Sequence, residues 1–130
     1  MDVVQTAFGD ALTAPFWDGA RRGTLMIQRC KQCGSHQFYP RPFCVRCRSD
    51  SVAWTAASGL ATVYSKTVIR RAASPDQAVP YVNALVDLDE GPRLFTSLLD
   101  MDIAIGDRVR VAWRDRAEGP PVPVFEREAD

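Results

Sequence analysis

Four cysteines stand as Cys30-Lys31-Gln32-Cys33 and Cys44-Val45-Arg46-Cys47, two CxxC pairs separated by ten residues. Each pair can grip one tetrahedral ion with two thiolates, and ten residues are about what a short hairpin needs to bring the pairs together. Redox chemistry, or simple burial of free thiols, is the alternative for a single CxxC; the doubled pair favours a metal. Two disulfides would suit an exported mini-protein, but nothing at the start of the sequence marks export. Zinc is the expected ion, and iron shares the geometry. A site closed by four sulfurs has no open position for a substrate, so its role is to staple a small lobe.

Little else in the chain can carry reaction chemistry. His36 is the one histidine, three residues past Cys33, and reads as an exposed turn residue because the ion already has four ligands. With the sulfurs committed, no cysteine is left as a nucleophile. GxxxxGK[ST], GxGxxG and HExxH motifs are all lacking. Asp87, Asp89 and Glu90 cluster beside Gly91-Pro92, as the acids of a solvated turn do. A self-sufficient enzyme is therefore the weaker reading.

The chain of 130 residues, 46% hydrophobic and 25% charged, has the balance of one compact globular unit rather than a disordered chain. Its 16 basic and 16 acidic residues cancel, which argues against a strongly basic nucleic-acid binder. The distribution is uneven, however. Residues 19–49 carry seven basic residues and no acid, whereas residues 87–130 carry eleven acids against six arginines. Anion recognition is thus expected in the first third, where Arg29, Lys31, Arg46 and Arg48 also stabilise deprotonated sulfur. No apolar run spans a bilayer and no secretory signal opens the sequence, so a cytoplasmic protein is expected.

These residues need elements to hold them. Phe8, Ala11, Leu12, Pro15, Phe16 and Trp17 lie near helical spacing, which predicts a helical segment over 1–24. Phe16 and Trp17 read either as core packing or as a docking face. Leu25 to Arg29 predicts a strand entering the first knuckle of a zinc ribbon over 25–52. Beyond it the period becomes two. Strands are predicted over Leu60–Arg71, Tyr81–Leu88, Arg93–Leu99, Arg108–Arg114 and Pro123–Glu126, with Ile103 to Asp107 as a compact link. The fold class is therefore mainly β, and five short strands over 53–130 match a closed OB-type barrel. Arg108, Arg110, Arg114 and Arg116 share one face of the fourth of these strands, either solvated and neutralised by acids or free for phosphate. The stretch from Ile69 to Pro80 is long for a hairpin and reads as a binding loop.

Phe16-Trp17-Asp18-Gly19, Gln28-Arg29-Cys30-x-x-Cys33-Gly34 and Gln37-Phe38-Tyr39-Pro40-Arg41-Pro42-x-Cys44-x-x-Cys47 together resemble the DUF35 family. The likeness continues through Gly59–Ser65, Pro80-Tyr81, Leu85–Arg93 and Ile105–Val109, and so covers about residues 15 to 127. The resemblance implies an OB fold with a rubredoxin-like zinc ribbon, associated with acyl-CoA. It further implies a non-catalytic accessory subunit that stabilises a thiolase-fold enzyme, of thiolase, acyltransferase or steroid side-chain retro-aldolase type, and helps form its acyl-CoA channel. A hot-dog-fold hydratase is a second implied partner. Guanidinium groups suit the phosphates of coenzyme A and aromatic faces suit its adenine. On that basis Arg21, Arg22, Arg41, Arg70 and Arg71, with Tyr39 and Tyr81, are the candidate ligand contacts. The alternative from the fold type is a single-stranded nucleic-acid module.

Overall fold

In a computed structural model the described residues are 11–128. The first ten residues of the expected helical segment lie outside them. The segment's remainder forms α1 (Ala14–Arg21), with Pro at its first turn and a basic Arg21 in its last. Phe16, Gly19 and Ala20 are its buried face. Gly19 sits there because a Cβ would collide with the Met26 side chain and lie 2.8 Å from the Thr24 carbonyl.

A three-stranded antiparallel sheet follows, in the order β2-β1-β3, from β1 (Met26–Cys30), β2 (His36–Gln37) and β3 (Val52–Ala56). Two of these strands escape a reading by periodicity. β2 is too short to show one, and it places His36 half-buried opposite Arg29 rather than in an exposed turn. β3 straddles residue 53 and pairs with all of β1, from Met26↔Ala56 to Cys30↔Val52. The link to the barrel is therefore Ala57 to Gly59.

The barrel is closed in the order β4-β5-β6-β8-β7. Its strands are β4 (Leu60–Ile69), β5 (Tyr81–Leu88), β6 (Arg93–Leu98), β7 (Arg108–Arg114) and β8 (Val122–Arg127). This is OB topology: β6 and β8 meet in parallel at Leu98↔Phe125, and β7 returns to β4. Alternation decides what faces inward. On β5, Val82, Ala84, Val86 and Leu88 are buried while the residues between them are half-exposed. Gly59 has φ +82 and a Cβ there would lie 2.7 Å from Val111 Cγ1, so the entry to the barrel requires glycine. The link from β6 to β7 closes one end, with Ile103 fully buried and the Lys66 ammonium donating to the Met101 and Ile103 carbonyls at 2.8 and 2.7 Å.

Phe16, Leu25 and Ile27 join the barrel residues Val63, Val86, Leu94, Val109 and Phe125 in one apolar cluster. Helix, ribbon and barrel thus share a core. Phe16 is consequently a core residue, with the Trp17 ring edge-on at 4.7 Å and Phe38 tilted at 5.3 Å. No helix among the described residues is long and apolar enough to cross a membrane.

Candidate functional site

The two knuckles are copies of one turn. In the first, the Cys30 N–H donates to the Ser35 carbonyl and the Gly34 N–H to the Cys30 carbonyl; in the second, Cys44 pairs with Ser49 and Arg48 with Cys44 in the same way. The residue four beyond each leading cysteine must then be left-handed. Gly34 takes φ +80 there, whereas Arg48 takes φ +68. Holding a side chain in that region costs about 1–2 kcal/mol.

These turns bring the four Sγ atoms within 4.8 Å of one another, with Cys30 to Cys47 and Cys33 to Cys44 each at 3.6 Å. Thiolates about 2.3 Å from a tetrahedral ion are separated by roughly 3.8 Å, so the set fits a four-sulfur metal site. Backbone N–H groups support the sulfurs: Cys33 donates to Cys30 Sγ, and Arg46 and Cys47 donate to Cys44 Sγ, all at 3.4 Å. The Ser35 side chain and N–H hold the Cys33 thiol down at about 6. The Cys47 thiolate is favoured by the Ser49 N–H, but burial and the neighbouring sulfurs outweigh this and push it up to about 12. Four crowded sulfurs cannot all ionise without a cation among them, which is the electrostatic demand that a metal satisfies.

The second knuckle is tied down by two buried glutamines. Gln28 donates to the Arg41 carbonyl and accepts from the Arg41 N–H, both at 2.9 Å. Gln37 donates to Gln28 at 2.8 Å and to the Phe43 carbonyl at 3.0 Å, and accepts from the Val45 N–H at 2.9 Å. The pair substitutes for the strand that residues 41–45 lack, satisfying backbone groups that a loop would otherwise leave to water. Nothing in the spacing of the two glutamines distinguishes them from surface residues.

The candidate ligand contacts fall into separate places. Tyr39 lines an apolar cleft of about 250 Å³ with Phe16, Trp17, Phe38, Leu94 and Phe95, and its hydroxyl accepts from the Phe95 N–H at 3.1 Å. Tyr81 lines a different cleft of about 550 Å³ with Gln77, Asn83, Ser97 and Arg114, beside the loop that carries Arg70 and Arg71. Arg21 is paired with Asp18 at 3.4 Å, Arg22 ends α1, and Arg41 lies on the ribbon with Phe43, Val45 and Arg48. Tyr39 and Tyr81 thus line different clefts, and neither lining includes Arg21, Arg22, Arg41, Arg70 or Arg71. Arg114, one of the arginine face that alternation offered to phosphate, lines the Tyr81 cleft, whereas Phe95 lines the Tyr39 cleft without any mark in the sequence, since an exposed residue of an alternating strand does not reveal the cleft beside it.

The arginines of the barrel are mostly neutralised. Arg108 grips Asp89 in a fork at 2.7 and 2.8 Å, which holds the Asp89 carboxyl below its usual range. Arg110 pairs with Glu126, Arg93 with Asp87, and Arg127 with Asp102 and Asp107. Arg93 also covers the Tyr64 ring at 3.4 Å, while Arg116 donates to the Pro120 carbonyl. The acids around Gly91-Pro92 are likewise structural rather than merely solvated: Glu90 accepts from the Ser58 N–H at 2.8 Å.

Two family models match the chain in sequence: the rubredoxin-like zinc ribbon domain of ChsH2 over residues 17–53 and its C-terminal OB-fold domain over 54–114. A DUF35 domain-containing scaffold protein of Methanothermobacter thermautotrophicus is 34% identical over 105 residues, 76% of this chain and 79% of that protein. The 3-oxo-4,17-pregnadiene-20-carboxyl-CoA hydratase alpha subunit of Mycobacterium tuberculosis is 38% identical over 106 residues, 79% of this chain. This chain spans 34% of that subunit's length, and a similar 36% of a hydratase alpha subunit from Thermomonospora curvata. In structure, a chain of the Ltp2-ChsH2(DUF35) aldolase matches with TM-score 0.81 and 34% identity, covering 91% of this chain and 95% of that one. A ribbon that carries the metal site and then a barrel, with the scaffold protein alike over most of both lengths, show that the chain belongs to the DUF35 family.

Proposed function

We propose that this chain is a non-catalytic accessory subunit of an acyl-CoA-processing complex. It binds and stabilises a thiolase-like enzyme and borders that enzyme's acyl-CoA passage, with zinc as the resident ion. The observation that carries the reading is the likeness, over nearly the whole of both chains, to a chain of the Ltp2-ChsH2(DUF35) aldolase. The use of side chains supports it. All four cysteines converge on the metal site, His36 lies within a strand, and Asp87, Asp89 and Glu90 are engaged in ion pairs or backbone contacts. In this reading Tyr81, Arg114 and the Arg70-Arg71 loop border the nucleotide end of the thioester, because the Tyr81 cleft combines an aromatic face with the Arg114 guanidinium and is lined on one side by Gln77 and Ala78 of that loop. A hot-dog-fold hydratase is the second partner, supported by two relatives that are named hydratase alpha subunits. The nucleic-acid reading is the poorer one, since Arg108 and Arg110 of the barrel face are already matched by carboxylates, which leaves few guanidinium groups for a run of phosphates.

The test is reconstitution. The chain, co-expressed with a thiolase-fold or hot-dog-fold enzyme from the same source, should form a stoichiometric complex by light scattering that turns over an acyl-CoA, while the chain alone releases no free thiol from the thioester. Turnover by the isolated chain overturns the reading, as does the failure of both enzymes to bind it.

A further inference from the structure

We infer that the second knuckle, residues 41–48, is the docking tip by which this chain grips an acidic, apolar-socketed surface on a protein partner; this rests on the accessory-subunit reading above. Three observations converge there. Phe43 and Val45 are 44% and 55% exposed at its crest, and together with Arg41 and Arg48 they line a shallow concavity. Arg41, Arg46 and Arg48 form no ion pair among the described residues, although seven acids elsewhere are matched by arginines. Finally, Arg48 stands at a left-handed position where the first knuckle has Gly34. An arginine at such a position costs stability, and this one makes no ion pair within the described fold that would offset the cost.

The tip is also rigid. The metal site fixes Cys44 and Cys47, and the two glutamines hold the backbone at Arg41, Phe43 and Val45. A preorganised crest of two apolar residues rimmed by guanidinium groups has the make-up of an interface hot spot. Charge decides the occupant. Four thiolates around a divalent ion carry minus two; with Arg29, Lys31, Arg41, Arg46 and Arg48 around them and Asp50 beside them, the ribbon keeps a net of about plus two. That is too little to hold a polyanion, whose binding scales with the number of phosphates neutralised, but enough to orient carboxylates around an apolar socket. A second copy is a poor occupant, because most acids of its barrel already face arginines.

The variant Arg48→Gly separates docking from folding. It relieves the left-handed strain, so thermal stability should hold or rise and metal content should stay at one per chain, while affinity for the reconstituted enzyme partner drops about tenfold by calorimetry. Phe43→Ala with Val45→Ala should abolish detectable binding, again with full metal content. Raising salt from 50 to 500 mM should weaken the wild-type complex several-fold and the Arg48→Gly complex less. Wild-type affinity in both variants overturns the docking tip and leaves the accessory role standing; failure of the wild-type chain to bind either enzyme overturns both. Two further outcomes count against a protein socket: oligodeoxythymidylate bound at 150 mM salt and lost in Arg48→Gly, or a wild-type homodimer that the Phe43→Ala, Val45→Ala variant dissociates.

Discussion

Arg110 on the barrel faces Glu126 across a strand pair and Arg108 forks onto Asp89, whereas Arg41, Arg46 and Arg48 on the ribbon face no carboxylate among the described residues. The barrel is stabilised by apolar burial around Val86, Val109 and Phe125, with its surface charge balanced locally. The ribbon buries Leu25 and Ile27 against that same cluster, but its outer half, from Cys30 to Ser51, is held by a metal site and two glutamines. The contrast shows a division of labour within one shared core. The self-sufficient half forms a platform, and the half that depends on an ion carries unbalanced charge and exposed apolar side chains outward.

The largest effect should come from breaking the ion's hold. Cys44→Ser, or removal of the metal with a strong chelator, forfeits a site of the kind that contributes on the order of 10–16 kcal/mol. Amide exchange should then reach the solvent rate at Cys33, Arg46 and Cys47, while the barrel amides of Val86 and Leu94 remain protected. Equal loss in both regions would mean that the ribbon's outer half and the barrel fold as one unit.

Next in size is the converse experiment. Phe125 is fully buried, and Phe125→Ala should lower unfolding stability by about 3–5 kcal/mol in urea titration. Metal binding should persist up to the global transition, because none of the four cysteines belongs to the apolar cluster around that ring.

The smallest effect sharpens the account of the ribbon. Gln37→Leu keeps the side chain's bulk but strips the Val45 N–H and the Phe43 carbonyl of their partners, at a cost of about 1–3 kcal/mol. Exchange should quicken at Val45 alone among the amides named here, with the barrel transition unchanged.

Period-two alternation placed all five barrel strands within a residue or two of their ends, because a strand that buries one face alternates along its length. The cysteine spacing located the metal site, since four sulfurs on two identical turns have few other ways to meet. Both features are local, so a linear reading reaches them. What the amino acids alone did not reveal depends on distant partners. β3 is a strand because β1 offers an edge to it, and Gln28 and Gln37 are buried because residues 41–45 present unpaired backbone to them. The separation of Tyr39 from Tyr81 into two clefts, and the neutralisation of the barrel arginines but not those of the knuckle, follow from which residues closure of the sheet sets side by side. Composition determined that the charges cancel, and their order along the chain that the basic excess lies in the first third; only the tertiary structure decided which arginines meet a carboxylate, because that depends on the residues closure brings together.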